Sequence, residues 1–400
     1  MPQVTSALLI ACLPLTALAT LQFVMPVLAP LLTAAAGRPP EAYGWLGGAM
    51  GLGSVWFYVA NGTITPALGP LRTLRAGLLV AITGLALVLT AWWPAMIAGG
   101  VLIGFGYATT TPAGSQILAD FTPRTMWGTL FSLRQAGVPA GGIAAGAIGT
   151  FLVAHIGWRG AIEVVMGLLL LVALGLLLVP RRYNETRPLV AFTPGELVNP
   201  ASIARPFWVV RGVAGLPSLV GVGFCLGFVH ATVTSFFVLY LNVGLGVPLP
   251  VAASLFAVLQ AFAIAGRILF GLLADRIGSP LPVLKILAPL SASSALMLSY
   301  FSADWGGGGQ LLAAIVIGLT VGTWNGLYLA EVARLAPAHA VSEATASAGF
   351  FGFFAYMLAP PLVGWLATTV GYGATFRLVS LAAVAAFVIL LVRDRKPKPC

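Results

Sequence analysis

The sequence predicts an all-α membrane protein in which 12 transmembrane helices form two pseudo-symmetric six-helix bundles. Three observations carry this expectation. The composition is 59% hydrophobic and only 8% charged, with a mean hydropathy of +1.00, whereas soluble domains are about a quarter charged. The chain divides into about twelve apolar runs near 20 residues long, the length a helix needs to cross a hydrocarbon core about 30 Å thick. The basic residues fall almost entirely in alternate gaps between those runs.

The runs are bounded in order by helix-breaking and charged residues. Span 1 (6–33) ends in Ala34-Ala35-Ala36. Because no Lys or Arg precedes it and it is about twice the length of a signal core, a retained helix is expected rather than a cleaved leader. Span 2 (43–65) lies between Pro40 and Pro66, and span 3 (73–93) between Arg72 and Pro94. Span 4 (95–119) stops at Asp120. Span 5 (128–154) and span 6 (158–180) are parted by Gly157, and Arg181-Arg182 closes the second of them. Span 7 (213–241) and span 8 (250–274) are parted by Pro248, and span 8 stops at Asp275-Arg276. Span 9 (281–301) is followed by Asp304, and span 10 (309–334) by Pro337. Span 11 (342–367) and span 12 (371–392) meet near Gly371, with Arg393 beyond.

With the N-terminus inside, 17 of the 20 Lys and Arg residues fall on the cytoplasmic side, leaving only Arg38, Arg159 and Arg377 outside. That asymmetry predicts cytoplasmic termini. The organisation read from it is an N-terminal six-helix bundle (1–180), a cytoplasmic central loop (181–212) with Pro188, Pro194, Pro200 and Pro206, a C-terminal six-helix bundle (213–392) and a cytoplasmic tail (393–400). At an offset of 214 residues, Gly104 falls on Gly318, Ala119 on Ala333, Pro123 on Pro337 and Gly157 on Gly371, as one duplicated unit would produce. Abundant Ala, Gly and Arg with scarce Lys point to a GC-rich bacterial genome and hence to the inner membrane.

Several function classes are excluded. The net charge of +10 is scattered over short loops, so no nucleic-acid face is expected. Cys12, Cys225 and Cys400 lack disulfide or metal spacing, and no metal or cofactor is expected. None of Lys285, Lys396 and Lys398 follows a Gly in a phosphate-cradling loop, which rules out an ATP-driven pump.

Between spans 8 and 9 stands Gly271-Leu272-Leu273-Ala274-Asp275-Arg276-Ile277-Gly278. This segment resembles the cytoplasmic loop motif of the major facilitator superfamily, G-x-L-x-D-R-x-G, with every fixed position present. The resemblance implies alternating access by two bundles and a gating role for Gly271, Asp275, Arg276 and Gly278. The first-half copy departs from it, placing Pro66 and Ala67 where Asp and Arg stand in the second half. Glu343 at the start of span 11 is a candidate compensation, capping its own helix while span 5 depends on Asp275; the plainer reading makes both simple topology-setting charges. Span 5 carries Arg134-Gln135-Ala136-Gly137-Val138-Pro139-Ala140-Gly141-Gly142, similar to a Gly-Pro-rich motif of superfamily antiporters. Gly137, Pro139 and Gly142 suit a hinge against span 8 or 10, or else ordinary tight packing.

All ten acidic residues are placed at helix ends or loops, which disfavours a cation as substrate. Arg134 and Arg267, each about two turns from the cytoplasmic end, are the charged cavity candidates, with Gln260 on the face of Arg267. Their alternative is snorkelling to the inner surface. His230, with Thr234 one turn on, is either a proton-linked switch or a packing residue. The superfamily resemblance implies that spans 1, 4, 7 and 10 line the cavity, which adds Gln22, Tyr107, Thr111, Gln116, Trp324, Asn325 and Tyr328, with Thr320 and Glu331 extending the last stripe. Span 4 lacks the intramembrane Arg of many proton-driven exporters in the superfamily. The reading is a secondary transporter of a small organic anion such as a carboxylate, coupled to protons or a counter-substrate, embedded in the lipid bilayer as a monomer. The alternatives are an exporter of neutral or hydrophobic compounds and, from another class, a membrane-embedded sensor or lipid-modifying enzyme.

Overall fold

The computed structural model describes residues 2–123, 126–184, 195, 199–337 and 340–394. Pro188, Pro194, Lys396, Lys398 and Cys400, named above, lie outside the described residues, as do Arg124, Glu185, Arg187, Glu196 and Arg395 among the charges counted there.

All regular structure among the described residues is helical. Span 1 is α1 (Pro2–Val27) with its continuation α2 (Ala29–Ala35), span 2 is α3 (Tyr43–Leu68) and span 3 is α4 (Pro70–Leu89). Span 4 is broken into α5 (Trp93–Ala108) and α6 (Thr110–Phe121). Span 5 comprises α7 (Trp127–Gln135), α8 (Gly137–Ala147), a π-helical stretch (Ile148–Leu152) and the opening of α9 (Val153–Gly175), whose remainder is span 6. The segment read as a polar loop contains a helix of its own, α10 (Pro200–Gly212). Spans 7, 8 and 9 are α11 (Leu216–Leu239), α12 (Leu249–Ile277) and α13 (Pro280–Ser299). Span 10 is broken like span 4, into α14 (Gly306–Val321) and α15 (Trp324–Leu335), and spans 11 and 12 share α16 (Val341–Asp394).

Eight helices among the described residues are long and apolar enough to cross a membrane. Two of these, Leu130–Leu178 and Glu343–Arg393, hold two crossings each, because Gly157 (φ 69°, ψ 177°) and Gly371 (φ 79°, ψ 161°) interrupt them. Such backbone is essentially reserved to glycine, so the chain turns there by default. Adding α3 and the broken pair α5–α6 gives the twelve crossings that the composition implies.

The helices gather into two units, Met1–Ile203 and Ala204–Cys400. In the first, α1 lies along α8, α5 packs between α3 and α4, and α4 touches α9. In the second, α11 lies along α16, α14 packs on α12 and α13, and α13 touches α16. The pairings correspond span for span. The breaks correspond too, since α6 opens at Thr110 and α15 at Trp324, again 214 positions apart. A methyl on Gly104 would overlap the Met50 carbonyl oxygen and one on Gly318 that of Leu259, so both broken helices press backbone to backbone on a neighbour. Leucines such as Leu171, Leu178, Leu312 and Leu381 remain exposed, the pattern of a surface that faces hydrocarbon rather than water.

Candidate functional site

In the first unit the chemistry collects where span 4 breaks. Pro112 has no N–H to offer the carbonyl one turn back, so regular bonding lapses near Thr109 and α5 gives way to α6. Arg134, on α7, turns its side chain into this break and is 1% exposed. Its Nη2 donates to the Thr110 carbonyl at 2.6 Å and to that of Thr111 at 3.5 Å, and its Nη1 to Ser115 Oγ at 3.3 Å. Gly114 supplies the room, since a methyl there would stand 3.0 Å from Arg134 Nε. That Nε is buried and has no partner among the described residues. Tyr58 shares a side-chain hydrogen bond with Thr111, and Cys12, Tyr58 and Tyr107 lie within electrostatic reach of the guanidinium. The Arg134 side chain is thus held inside the unit by two carbonyls and a hydroxyl.

The second unit repeats the device with another helix as the source of the cation. Arg267, half-buried on α12, donates from Nε to the Gly322 carbonyl at 3.1 Å, at the joint between α14 and α15. His230 on α11 is buried near this joint, with its ring edge-on to Tyr356 at 5.9 Å between centroids, and Arg267 is within electrostatic reach of it. Gln260, two turns before Arg267, is 3% exposed with Nε2 unpartnered among the described residues. Arg267, His230 and Gln260 thus share one region of the second unit.

Other candidates serve the fold locally. Thr234 Oγ1 donates to its own helix at the His230 carbonyl (2.8 Å). Tyr328 is 2% exposed and fills the notch beside Gly223 on α11, with Trp324 5.5 Å away. Thr320 shares a 2.7 Å hydrogen bond with Ser294, which places it on the α13 seam instead of the expected stripe. Asn325 and Gln116 are half-buried, and Gln22 Oε1 is buried without a partner among the described residues.

The gating candidates divide in the same way. Gly278 (φ 73°, ψ 11°) caps α12 as the left-handed C-terminal residue, and Asp275 and Arg276 are exposed beside it. Gly137 and Gly141 press on Thr16, Ala19 and Thr20 of α1, and Pro139 and Gly142 are buried in α8. Glu343, expected to cap its own helix, pairs with Arg205 of α10 at 2.6 Å. In the first half, where Asp and Arg are missing from the loop, Asn184 does the joining: its Nδ2 donates to the Leu68 carbonyl at 3.0 Å, and its Oδ1 accepts from Arg72 N at 2.9 Å.

One cluster escaped the sequence reading. Glu331 was read as a helix-end acid in the cavity stripe, yet its side chain is 0% exposed. It accepts two 2.7 Å hydrogen bonds from Arg334 and one of 3.4 Å from Arg393, tying α15 to the end of α16. Arg393, placed in the tail by the sequence, is therefore a packed residue of the last helical turn. The signal that could have found this cluster is the Glu331/Arg334 spacing at i, i+3. Among the described residues no group of three or more His, Cys, Asp and Glu side chains could hold a metal ion.

The family model described as Major Facilitator Superfamily matches residues 10–359. A POT family transporter solved with 5-aminolevulinic acid is 13% identical, with a TM-score of 0.78 over 97% of this chain and 96% of that one. A D-xylose-proton symporter is 15% identical, with a TM-score of 0.74 over 98% and 96%. The human organic anion transporter MFSD10 (TETRAN) is 17% identical, with a TM-score of 0.67 over 97% and 99%. At these identities the likeness speaks for fold alone. No curated protein matches the sequence.

Proposed function

From the premise that this chain belongs to the major facilitator superfamily, we propose that it is a secondary transporter that carries a small organic anion by alternating access, with Arg134 as the group that receives the anion's charge. The membrane protein is all-helical, and its family and fold are those of transporters. The observation that carries the anion reading is the state of Arg134. A guanidinium 1% exposed, with a buried unpartnered Nε and no carboxylate beside it among the described residues, is a cation whose charge only dipoles meet. Removing an ion from water costs several kcal/mol unless a counter-charge compensates, and a carboxylate matches the planar fork of Arg geometrically as well as electrostatically. Arg267 at the equivalent break of the second unit extends the cationic provision, and Gln260 adds a free amide donor near it.

The remainder of the reading follows from charge placement. Bundles 1–180 and 213–392 rock about the cytoplasmic segment 181–212, with both termini on the cytoplasmic face of a bacterial inner membrane. Asp275, Arg276 and Glu343 act at the gate, and either proton uptake or exchange of a counter-substrate balances the anion's charge.

The test is a thermal-shift screen of purified protein against carboxylates, amino acids, sugars and neutral hydrophobic drugs. A carboxylate at about 100 times its Kd stabilises the native state by roughly 2.7 kcal/mol, and Arg134→Ala abolishes the shift while Arg134→Lys weakens it. Stabilisation by neutral drugs only, or a carboxylate shift indifferent to Arg134, overturns the proposal in favour of an exporter of neutral compounds.

A further inference from the structure

The second unit contains a groove of about 380 Å³ between α10, α11 and α16. Its walls are apolar, with Phe207, Val210, Phe224, Phe351 and Ile389 among them, and Arg211 is the charged residue in the lining. The volume lies within the range of small-molecule sites, about 300–1,000 Å³. We propose that this groove is a lipid site, taking one acyl chain of an anionic phospholipid whose phosphate rests on Arg211.

The occupant is argued from α10. Ile203, Phe207 and Trp208 are exposed by 47%, 44% and 68% on a helix that also carries Arg205 and Arg211. A short helix with exposed aromatic and aliphatic side chains and interspersed arginines has the composition of one lying in the membrane interface, where Trp rings settle at headgroup level. The helix is fixed in place: Arg205 pairs with Glu343 at 2.6 Å, and the Phe207 ring stands edge-on to Phe351 at 5.0 Å and to Phe350 at 6.0 Å. The groove is therefore a formed site and not a gap beside a loose segment. Arg211, by contrast, is exposed, and its side chain has no hydrogen bond or ion pair among the described residues. An exposed guanidinium beside an apolar slot, at the face to which most basic residues belong, complements a phosphate that carries an acyl chain. A soluble anion would gain nothing from the phenylalanines, and a neutral lipid nothing from Arg211.

The test uses the full-length protein, delipidated in a non-ionic detergent and followed by native mass spectrometry and thermal unfolding. Dioleoyl-phosphatidylglycerol is expected to bind with one molecule retained per protein, about fivefold more tightly than dioleoyl-phosphatidylcholine, the effect of one basic residue at an anionic surface. Glycerophosphoglycerol, which has the headgroup but no chains, is expected to produce no thermal shift. Arg211→Gln should erase the preference between the two lipids, Gly221→Trp should abolish retention by filling the groove, and Arg134→Ala should leave both unchanged. As a check independent of the fold of the Gly221 variant, Cys225, which lines the groove, should be protected from an apolar maleimide by phosphatidylglycerol in a Cys12→Ser, Cys400→Ser background. Equal binding of the two lipids, headgroup binding without chains, displacement of the lipid by a neutral hydrophobic drug, or unprotected Cys225 would each overturn the lipid site.

Discussion

Two residues decide how this protein tolerates charge inside its bundles, and they do so differently. Glu331 is fully buried but met by Arg334 and Arg393, so its charge is compensated across two helices. Exchange for Gln keeps the shape and removes the counter-charge, leaving Arg393, whose side chain is only 14% exposed, without its partner. The expected loss is on the order of 3 kcal/mol, as for other broken buried pairs, read as a lower midpoint of denaturant unfolding in detergent; an unchanged midpoint would mean that Arg393 finds water instead. Arg134 has the opposite problem, a charge held by two carbonyls and a hydroxyl. Its guanidinium is the mobile end of a long side chain, so Gly114→Ala, which sets a methyl 3.0 Å from Nε and 3.1 Å from Nη2, should displace the charge without unfolding the bundle. Carboxylate affinity in a thermal-shift titration is expected to fall about tenfold, the size of one charge-assisted hydrogen bond. Full affinity in that variant would separate Arg134 from the anion.

At the scale of elements, glycine sets where helices stop and bend. Gly157 and Gly371 hold equivalent left-handed, extended conformations at the turns from span 5 to 6 and from span 11 to 12. An alanine at either should cost about 1–3 kcal/mol of strain, whereas Gly167→Ala, in regular α9 with open space around it, should be neutral or stabilising. Equal effects at all three positions in unfolding assays would refute the strain argument. These two turns were legible in the sequence because a glycine between two apolar runs of membrane length admits few other readings. Pro66 was less legible, since it suggested an end to span 2 while α3 continues to Leu68; membrane helices absorb a proline when neighbours satisfy the freed carbonyl. The amphipathic α10 was missed because prolines and charges around it read as loop. The site was the least legible part. Arg134 stands out in the sequence as a charge inside a span, but two of its three partners are main-chain carbonyls of another helix, which have no side-chain signature, and Tyr58 joins them through the packing of α3 on α5 and α6. Glu331 and Arg393 are 62 positions apart, a separation that no local pattern bridges.

At the scale of the whole molecule, the arrangement of charge makes a prediction that does not depend on any single contact. Arginine and lysine resist transfer across the bilayer, so loops rich in them stay on the side of synthesis. With 17 of 20 basic residues in alternate gaps, the turns at 69, 122, 184, 278 and 337 should face the cytoplasm, and those at 37, 91, 157, 245, 303 and 371 the opposite side. Fusions of a reporter active only outside the cytoplasm, joined after each of these positions, should therefore alternate between silent and active along the chain. The decisive points are 157 and 371, because a single glycine makes each turn inside an apolar stretch of 49 or 51 residues that could otherwise be taken for one long rod. Two rods would give ten crossings, and every turn between 157 and 371 would then change sides. Strong reporter activity at 157 and 371 with none at 184 fixes twelve crossings and puts Arg134, Arg267 and Glu331 in the half of each bundle that faces the cytoplasm; activity at 184 would require the opposite orientation for the second unit and would remove the physical basis for matching its helices to the first.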